Sequence, residues 1–474
     1  MSRSVVVIGA GTNGLTAAQI LATSGRQVIV LDQKQPADVD FDAGWVPPSV
    51  RAALNIQPEA EEQGSWLVMP MEGGRFELFA DIARSAESIR RLSPRDASRW
   101  PEFCTRMRRL AGVLETLYQQ NAPDVETTDP GELMHLALLG LRVRGLGRQT
   151  VIDLLRILPM PVAELLDEWF ESELLKAAVG STGVMDLCQG PRSAGTAFVM
   201  LHHHVGRPAG VFRPLRTSLR STLSKRTNVE IRHDAAMHLE VAGERIRAVT
   251  LESGDTIETD CLVSSADPRR TMLDLLDPGW LDPEFMRAVH NIKMKGVAGT
   301  VTLALSCEAP FRQMSLAPSL THIERAYDDV KYGRPSAQPW LELRNSGQKI
   351  EVQVQYLPQV PREGAWDEAG KRSLGNDVAR RVVDAAPELK DAITGIRVMT
   401  PLDLDAHGGL TGGHRYQGDL TLDQILFMRP VAGWSRYRTP IGGLWLCGSG
   451  THPGGGVAGA SGLLAAREIL RDAR

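Results

Sequence analysis

The sequence predicts an α/β protein in which a parallel sheet is assembled from separate parts of the chain. The first observation is an apolar, largely β-branched run at 5–8 that leads into a glycine-rich turn and a helix. The second is another apolar run at 443–447, which is also followed by glycines and a helix pattern. The third is a series of short alternating runs between 229 and 265, which are typical of strands.

The N-terminal turn has the spacing of a dinucleotide-binding motif. Gly9 permits a tight turn, Gly11 lets the backbone approach a pyrophosphate, and Gly14 allows the helix to pack closely on the strand. A second strand follows, and it ends at Asp32, where a carboxylate can bind the ribose hydroxyls. The spacing does not distinguish FAD from NAD, but the acid argues against the 2′-phosphate of NADP.

The composition limits the classes of function. At 474 residues the chain is long enough for about two to three domains, and its net charge of -4 gives no reason to expect nucleic acid as a partner. Five scattered cysteines without a Cys-x-x-Cys pair favour a reduced protein without structural zinc. With no visible signal peptide and no apolar run of about 18 residues, we expect a cytoplasmic protein that is at most peripheral to a membrane.

The remaining patterns predict two domains. The nucleotide-binding domain is expected to be discontinuous, and the substrate domain to combine an antiparallel sheet with a helical cap. The predicted nucleotide-binding domain comprises residues 1–75, 205–270 and 430–474, and the predicted substrate domain comprises residues 76–204 and 271–429. We expect a hairpin around Gly73, close to the first boundary. Within the substrate domain we expect helices over 94–118, 131–158, 161–178, 193–204, 271–291 and 366–386, and strands over 297–305, 351–357 and 392–399.

The stretch 133–158 combines an apolar face with arginines such as Arg142, Arg144 and Arg148. A helix of this composition can bind to a membrane surface. It can equally form part of a helix pair that covers the substrate domain, and the sequence leaves both interpretations open.

The C-terminal stretch 440–460 repeats the strand, glycine and helix pattern. Amides at a helix N-terminus stabilise an anion, and in a flavin the negative charge develops around N1 and O2 on reduction. Two such units at opposite ends of one chain fit FAD better than NAD, because FAD is long enough to contact both.

These motifs resemble those of the phytoene-desaturase-like flavoproteins in the amine-oxidase and glutathione-reductase superfamily. Within it, the chain is more similar to the branch of pyridine nucleotide-disulphide oxidoreductase domain proteins. The matching segments are spread over most of the chain, at 9–14, 166–173, 190–191 with 195–197, 265–268, 422–424 with 429–430, and 437–460.

The resemblance implies a glutathione-reductase-like Rossmann FAD-binding domain. It also implies an FAD-dependent oxidoreductase that desaturates, saturates or isomerises a carbon–carbon bond of an apolar polyene, isoprenoid or acyl-like substrate. The cofactor contacts that it implies are Gly9, Gly11 and Gly14 at the pyrophosphate, Asp32 at the ribose, the Met237 backbone at adenine, Ser449 and Gly450 near the pyrophosphate and ribitol, and the amides of Gly456 and Val457 near flavin O2.

The chain departs from the family pattern at two places near the expected flavin. The Arg-x-x-Gly-Gly segment that usually follows the second-strand acid is replaced by a shorter stretch ending in Ala43-Gly44. The Pro-x-Gly-Gly turn before the middle sheet is replaced by a stretch with Arg213 and Arg216 where glycines are expected. Flavin binding could therefore be weaker or altered.

Hydride transfer to flavin needs little side-chain chemistry, so few catalytic side chains are expected. The one candidate from the sequence is His452, which lies in the flavin-proximal loop. The alternative is that His452 only caps this loop. The triplet His202-His203-His204 is not expected to bind a metal, because adjacent histidines on a helix point in different directions.

Two other functions remain open from the sequence. A flavin amine oxidase would need an aromatic cage, for which Trp434, Tyr437 and Trp445 are the nearby cluster. A non-catalytic or non-redox protein would keep the fold with an altered flavin site.

Overall fold

The computed structural model describes residues 4–33, 44–57, 64–124, 127–214, 219–223 and 229–473. The strands are β1 (Val5–Ile8), β2 (Val28–Leu31), β3 (Gly44–Trp45), β4 (Ser65–Met71), β5 (Gly74–Phe79), β6 (Glu230–Arg232), β7 (Ala236–Ala242), β8 (Arg245–Leu251), β9 (Thr256–Glu258), β10 (Leu262–Ser264), β11 (Ala298–Leu305), β12 (Gln313–Leu316), β13 (Trp340–Asn345), β14 (Lys349–Gln355), β15 (Ile393–Met399), β16 (Leu444–Leu446) and β17 (Gly456–Val457).

The described residues also form α-helices. They are α1 (Thr12–Thr23), α2 (Pro48–Leu54), α3 (Ile82–Arg90), α4 (Pro94–Leu117), α5 (Pro130–Gly145), α6 (Arg148–Ile157), α7 (Val162–Trp169), α8 (Glu173–Gly180), α9 (Thr196–His204), α10 (Arg220–Leu223), α11 (Pro283–His290), α12 (Leu320–Lys331), α13 (Glu368–Ala385), α14 (Pro401–Ala406) and α15 (Ala460–Asp472).

A five-stranded parallel sheet, in the order β16-β10-β1-β2-β6, confirms the predicted Rossmann-type α/β fold. All four residues of β1 are buried because helices or further layers cover both faces of a central parallel strand. Its Val6 pairs with Leu262 of β10 on one side and with Ile29 of β2 on the other. Strands from three distant parts of the chain therefore meet in one sheet.

A seven-stranded sheet, in the order β15-β11-β14-β13-β12-β4-β5, forms the second layer. One face carries valines, leucines and isoleucines that pack against α13, such as Val301 and Val352. The opposite face carries buried polar side chains: Gln355 binds the carbonyls of Val184 and Leu187, which follow α8. This sheet is thereby joined directly to the helical layer.

The hairpin β4–β5 confirms the turn predicted around Gly73, but both strands belong to the seven-stranded sheet. The division proposed at residue 75 therefore passes through this hairpin, and the domain boundaries themselves stay a prediction.

Three of the predicted helices are interrupted. The one predicted over 131–158 is divided into α5 and α6 at Gly147, which has a φ of +84°. The helix predicted over 161–178 is divided into α7 and α8, because the buried Asp96 accepts hydrogen bonds from the amides of Glu171 and Ser172 and holds that segment extended. The helix predicted over 271–291 contains only α11 as a regular helix, since Pro278 and Pro283 begin new turns after Asp277 and Asp282.

Candidate functional site

A cleft opens at the carboxyl ends of the parallel strands. The chain runs from β1 to β2 on one side, while β10 lies against β1 on the other side. Ligands of open parallel sheets bind at such a switch point. The cleft is lined by Gly9 and Gly11 after β1, by Asp32 after β2, and by Ser449 after β16. Both motifs recognised in the sequence thus contribute to one site.

The first glycine loop packs closely against its neighbours because it lacks side chains. Gly9 has a φ of +93°, and a Cβ on it would lie 2.3 Å from Ser265 Oγ. A Cβ on Gly14 would lie 2.1 Å from the carbonyl oxygen of Gly9, so this glycine allows the close packing predicted for it. Helix α1 begins after Gly11 with no side-chain cap and no acidic residue in its first turn. This arrangement fits the pyrophosphate of a dinucleotide.

The carboxylate of Asp32 is buried at the edge of the cleft and forms an ion pair. Arg220 Nη2 lies 2.9 and 3.1 Å from its two oxygens, and His233 Nδ1 lies 3.4 Å from one of them. Neither Arg220 nor His233 was predicted from the sequence, because no motif relates them to the first βαβ unit. A carboxylate has further acceptor positions for ribose hydroxyls.

Met237 lies beside the cleft, but its side chain is 53% exposed. The wall at this place is formed by Ala235 and Ala236. Whether the Met237 backbone contacts adenine stays a prediction.

The C-terminal glycine loop, residues 448–459, is tied to the rest of the site by Gln417. Its Oε1 accepts a hydrogen bond from the Gly450 amide at 2.9 Å, and its Nε2 donates to the carbonyl of Ser265 at 2.9 Å. Ser265 Oγ in turn donates to the carbonyl of Ile8 at 2.8 Å. The Gly450 amide therefore has a protein partner, and its contact with a cofactor stays a prediction.

Gly456 and Val457 form the short strand β17, which pairs with β3. A Cβ on Gly44 would lie 2.4 Å from the carbonyl carbon of Gly456, so these two backbones are in direct contact. On the neighbouring residue Gly455, a Cβ would lie 2.2 Å from the ring of Tyr416. Gly456 and Val457 lie outside the lining of the main cleft, and their role near flavin O2 stays a prediction.

The three adjacent histidines of α9 point in different directions, as predicted. His202 Nε2 donates to the Gly455 carbonyl at 2.7 Å, and its Nδ1 accepts from the Tyr118 hydroxyl at 2.8 Å. His203 Nδ1 donates to the carbonyl of Thr182 at 2.7 Å, and His204 Nδ1 donates to that of Val211 at 2.6 Å. Burial lowers the pKa of His202 and of His204 to about 3, so both rings are neutral.

In the parts of the chain that the structure describes, no three His, Cys, Asp or Glu residues are grouped so that they could hold a metal ion.

His452 is buried and joins the C-terminal glycine loop to the end of α4. Its Nε2 donates to the carbonyls of Gln120 at 3.0 Å and Leu117 at 3.3 Å. Burial lowers its pKa to about 4. These contacts match the capping role considered for His452, and a catalytic role remains a prediction without support from the lining of the cleft.

One departure from the family pattern now has a structural account. The guanidinium of the buried Arg213 is bound within the protein, where its Nε donates to Glu342 Oε1 on β13 at 2.8 Å. Arg216 and the shortened segment at 34–43 lie outside the described residues.

The aromatic residues considered for an amine-oxidase cage do not converge. Trp434 packs edge-on against Phe285, Trp445 lies under Arg438, and the Tyr437 hydroxyl is buried against the carbonyl of His452. These three residues therefore do not form a cage.

Comparison with known proteins agrees with this site. A family model described as an FAD binding domain matches residues 4–83. The chain is 28% identical to pyridine nucleotide-disulfide oxidoreductase domain-containing protein 2 of Rattus norvegicus, over 98% of this chain and 93% of that protein. It is 22% identical to a limonene dehydrogenase component of Castellaniella defragrans (99% and 94% covered) and 22% identical to the lycopene-forming phytoene desaturase of Pantoea ananas (97% of each).

Solved structures share the fold at low sequence identity. Putrescine oxidase bound to putrescine has a TM-score of 0.54 at 13% identity, with all of both chains covered. Cyclohexylamine oxidase from Brevibacterium oxydans has a TM-score of 0.52 at 12% identity, with 100% of this chain and 98% of that chain covered. The chain thus contains an FAD binding domain and is similar over nearly its whole length to oxidoreductases and desaturases, and FAD is its cofactor.

Proposed function

We propose that this protein transfers a hydride between FAD and a carbon–carbon bond of an apolar substrate, as a desaturase, a saturase or an isomerase. The observation that carries the proposal is that both glycine loops open onto one cleft, with Asp32 and Ser449 both in its wall. Bound FAD supplies the hydride acceptor or donor. The names of the limonene dehydrogenase component and the phytoene desaturase, which align over nearly the whole chain, support an apolar carbon skeleton as the substrate.

Each part of the chain has a separate task in this proposal. The first-turn amides of α1 and the turn at Gly9 and Gly11 hold the pyrophosphate, and Asp32 orients the ribose. Ser449 and Gly450 lie towards the ribitol. The amides of Gly456 and Val457 stabilise the charge that develops near flavin O2.

Saturation and isomerisation also need a proton. The hydroxyl of Tyr416 is a candidate for holding it, because its ring packs on Gly455 and its hydroxyl donates to His203 Nε2 at 3.0 Å. The other nitrogen of His203 donates to the Thr182 carbonyl, so the imidazole is held with its Nε2 ready to accept.

The helices α5 and α6 provide a surface for a lipid bilayer from which an apolar substrate could enter. Large apolar side chains on these helices are exposed, among them Leu141 at 63% and Leu155 at 69%. The acidic residues of the hairpin are paired with the body of the protein, Glu132 with Arg436 and Asp153 with Arg106. The exposed charges at Arg144 and Arg148 then favour an anionic surface.

This contact is peripheral. Among the described residues, no helix is both long enough and apolar enough to cross a bilayer.

Anaerobic reduction of the FAD-loaded protein tests the reaction class. Terpenes and linear polyenes are mixed with the protein, with putrescine and cyclohexylamine as the matched amines, and loss of the flavin absorbance is followed. We expect reduction by an unsaturated hydrocarbon only, or, for a saturase, reoxidation of reduced flavin by it. Reduction by the amines alone would identify an amine oxidase. If no compound changes the flavin absorbance, isomerised hydrocarbon in the mixture identifies an isomerase, and unchanged compounds favour a non-redox role.

A further inference from the structure

Arg429 is a buried cation to which the cofactor contacts assign no task. Its side chain is 2% exposed, and its nitrogens bind backbone carbonyls. Nε and Nη2 donate to the Ser449 carbonyl at 3.1 and 2.7 Å, and Nη1 donates to the carbonyls of Asp419 at 3.0 Å and Gln424 at 3.1 Å. Nη2 also donates to the carbonyls of Tyr416 and Gly418. All these acceptors are uncharged, so the hydrogen bonds satisfy the guanidinium without cancelling its charge.

The guanidinium of Arg429 is hydrogen-bonded to the C-terminal glycine loop. Ser449, whose carbonyl it binds, also lines the cleft. Further along the loop, a Cβ on Gly454 would lie 3.4 Å from Arg429 Nε. The charge is therefore within a few ångströms of the part of the loop that continues into Gly456 and Val457.

Of the four described groups that interact electrostatically with Arg429, three are neutral and one, a carboxylate, is the exception. His202 and His452 have lowered pKa values of about 3 and 4, and burial raises the pKa of the Tyr118 hydroxyl. Burial also lowers the pKa of Arg429, to about 10, which leaves it protonated at neutral pH.

The exception is the carboxylate of Asp419, which receives a hydrogen bond from His414 Nε2 at 2.7 Å. His414 Nδ1 accepts a hydrogen bond from the Tyr416 amide at 3.2 Å, so Nε2 is the nitrogen that donates to Asp419. The negative charge of Asp419 acts on Arg429 and offsets part of its positive charge.

We propose that Arg429 is a positioning residue whose fixed charge stabilises the reduced flavin and raises its reduction potential. The inference depends on the proposed function, in which the flavin end of FAD lies against the C-terminal glycine loop. Addition of a hydride at flavin N5 brings two electrons and leaves one negative charge over N1 and O2. A buried positive charge at short range, in a low dielectric, lowers the free energy of that anion more than that of the neutral oxidised ring.

The reduction potential of bound FAD tests this role in four proteins. Asp419→Asn removes the opposing charge but keeps the backbone carbonyl that Arg429 binds, and we expect reduced flavin to gain at least tenfold in affinity relative to oxidised flavin, about +30 mV for a two-electron couple. Arg429→Met removes the cation and shifts the potential by about the same amount in the negative direction. Arg429→Lys keeps the charge with fewer hydrogen bonds, and its potential stays closer to that of the unsubstituted protein than to that of Arg429→Met.

These variants test the role of Arg429 separately from FAD binding itself. An unchanged potential in Asp419→Asn, together with equal potentials in Arg429→Lys and Arg429→Met, overturns the electrostatic role and leaves a purely structural one. If Arg429→Met does not fold, Asp419→Asn and Arg429→Lys decide the question. An unsubstituted protein that binds no FAD contradicts the proposed function as well.

Discussion

At the scale of single residues, the site depends on side chains that distant parts of the chain bring together. Asp32 could be predicted because the spacing within one βαβ unit places an acid at the end of the second strand. Its partner Arg220 could not, since it follows 188 residues later and no local pattern marks it. The same is true of Gln417, whose contacts with Ser265 and Gly450 depend on how three loops meet.

Replacement of Asp32 by alanine should weaken FAD binding. Loss of hydrogen bonds from the ribose to a charged acceptor costs about 2 kcal/mol, which corresponds to roughly 30-fold in Kd. Quenching of flavin fluorescence on binding measures the effect. Asp255→Ala, in an exposed turn, is the matched control and should bind FAD like the unsubstituted protein; equal affinity in both variants would show that Asp32 does not bind the cofactor.

Acid should destabilise the protein through its buried histidines. His202, His204 and His452 have pKa values of about 3 to 4 when folded, so below about pH 6.5 the unfolded chain binds protons that the folded chain excludes. Their contribution to stability is complete above that pH and is lost as the pH falls towards 4. The free energy of unfolding should therefore decrease by about 1.4 kcal/mol per pH unit for each such histidine.

Denaturant titrations between pH 7 and pH 5 measure this slope. In His452→Gln the slope should be smaller by about one proton, whereas in Gln348→Ala, which replaces an exposed side chain that does not titrate, it should not change. Equal slopes in all three proteins contradict the assignment of a buried neutral His452.

At the scale of elements, the helices that the sequence misjudged are those whose ends depend on distant partners. Residues 161–178 have a continuous helical pattern, and the break between α7 and α8 comes from Asp96 on α4. Strands β12 and β13 and helix α12 were absent from the prediction as well. In these cases the local pattern is weak or misleading, and tertiary contacts decide the structure.

Removal of the Asp96 carboxylate should destabilise the fold. Asp96→Ala leaves the partly buried amides of Glu171 and Ser172 without their acceptor, at a cost of about 2 kcal/mol. Asp129→Ala removes an exposed acceptor at the start of α5 and should cost about 1 kcal/mol or less. Chemical denaturation compares the two, and equal losses would contradict the role of Asp96 in holding the interrupted segment.

The exposed hairpin α5–α6 should bind lipid vesicles. Leu141→Asp with Leu155→Asp places two charges on the apolar surface and should reduce co-sedimentation with vesicles containing phosphatidylglycerol at least tenfold. Val360→Asp alters a similarly exposed side chain, at 70%, outside the hairpin, and should sediment like the unsubstituted protein. Binding that survives the double substitution, or that needs no anionic lipid, contradicts the proposed surface.

At the scale of the whole molecule, the parallel sheet was the part most open to prediction. Its core strands are short buried apolar runs, and the two that lead into the glycine motifs, β1 and β16, proved to lie on one sheet. The seven-stranded sheet could not be ordered from the sequence, since its strand neighbours come from 65–79 and 298–399 without a local signal. The buried polar face that joins this sheet to the helical layer could not be predicted either. Gln353 and Gln355 alternate with apolar residues, and the same pattern is expected for a strand with one face in solvent.

FAD occupancy of the purified protein is the most direct test of the proposed cofactor site. The protein is purified, its flavin absorbance is compared with its protein concentration, and any apoprotein is titrated with FAD. We predict uptake of about one FAD per chain, with an affinity that falls in Asp32→Ala and remains in Asp255→Ala. A colourless protein that takes up no added FAD would contradict the account, because the cleft between the two glycine loops would then have another purpose.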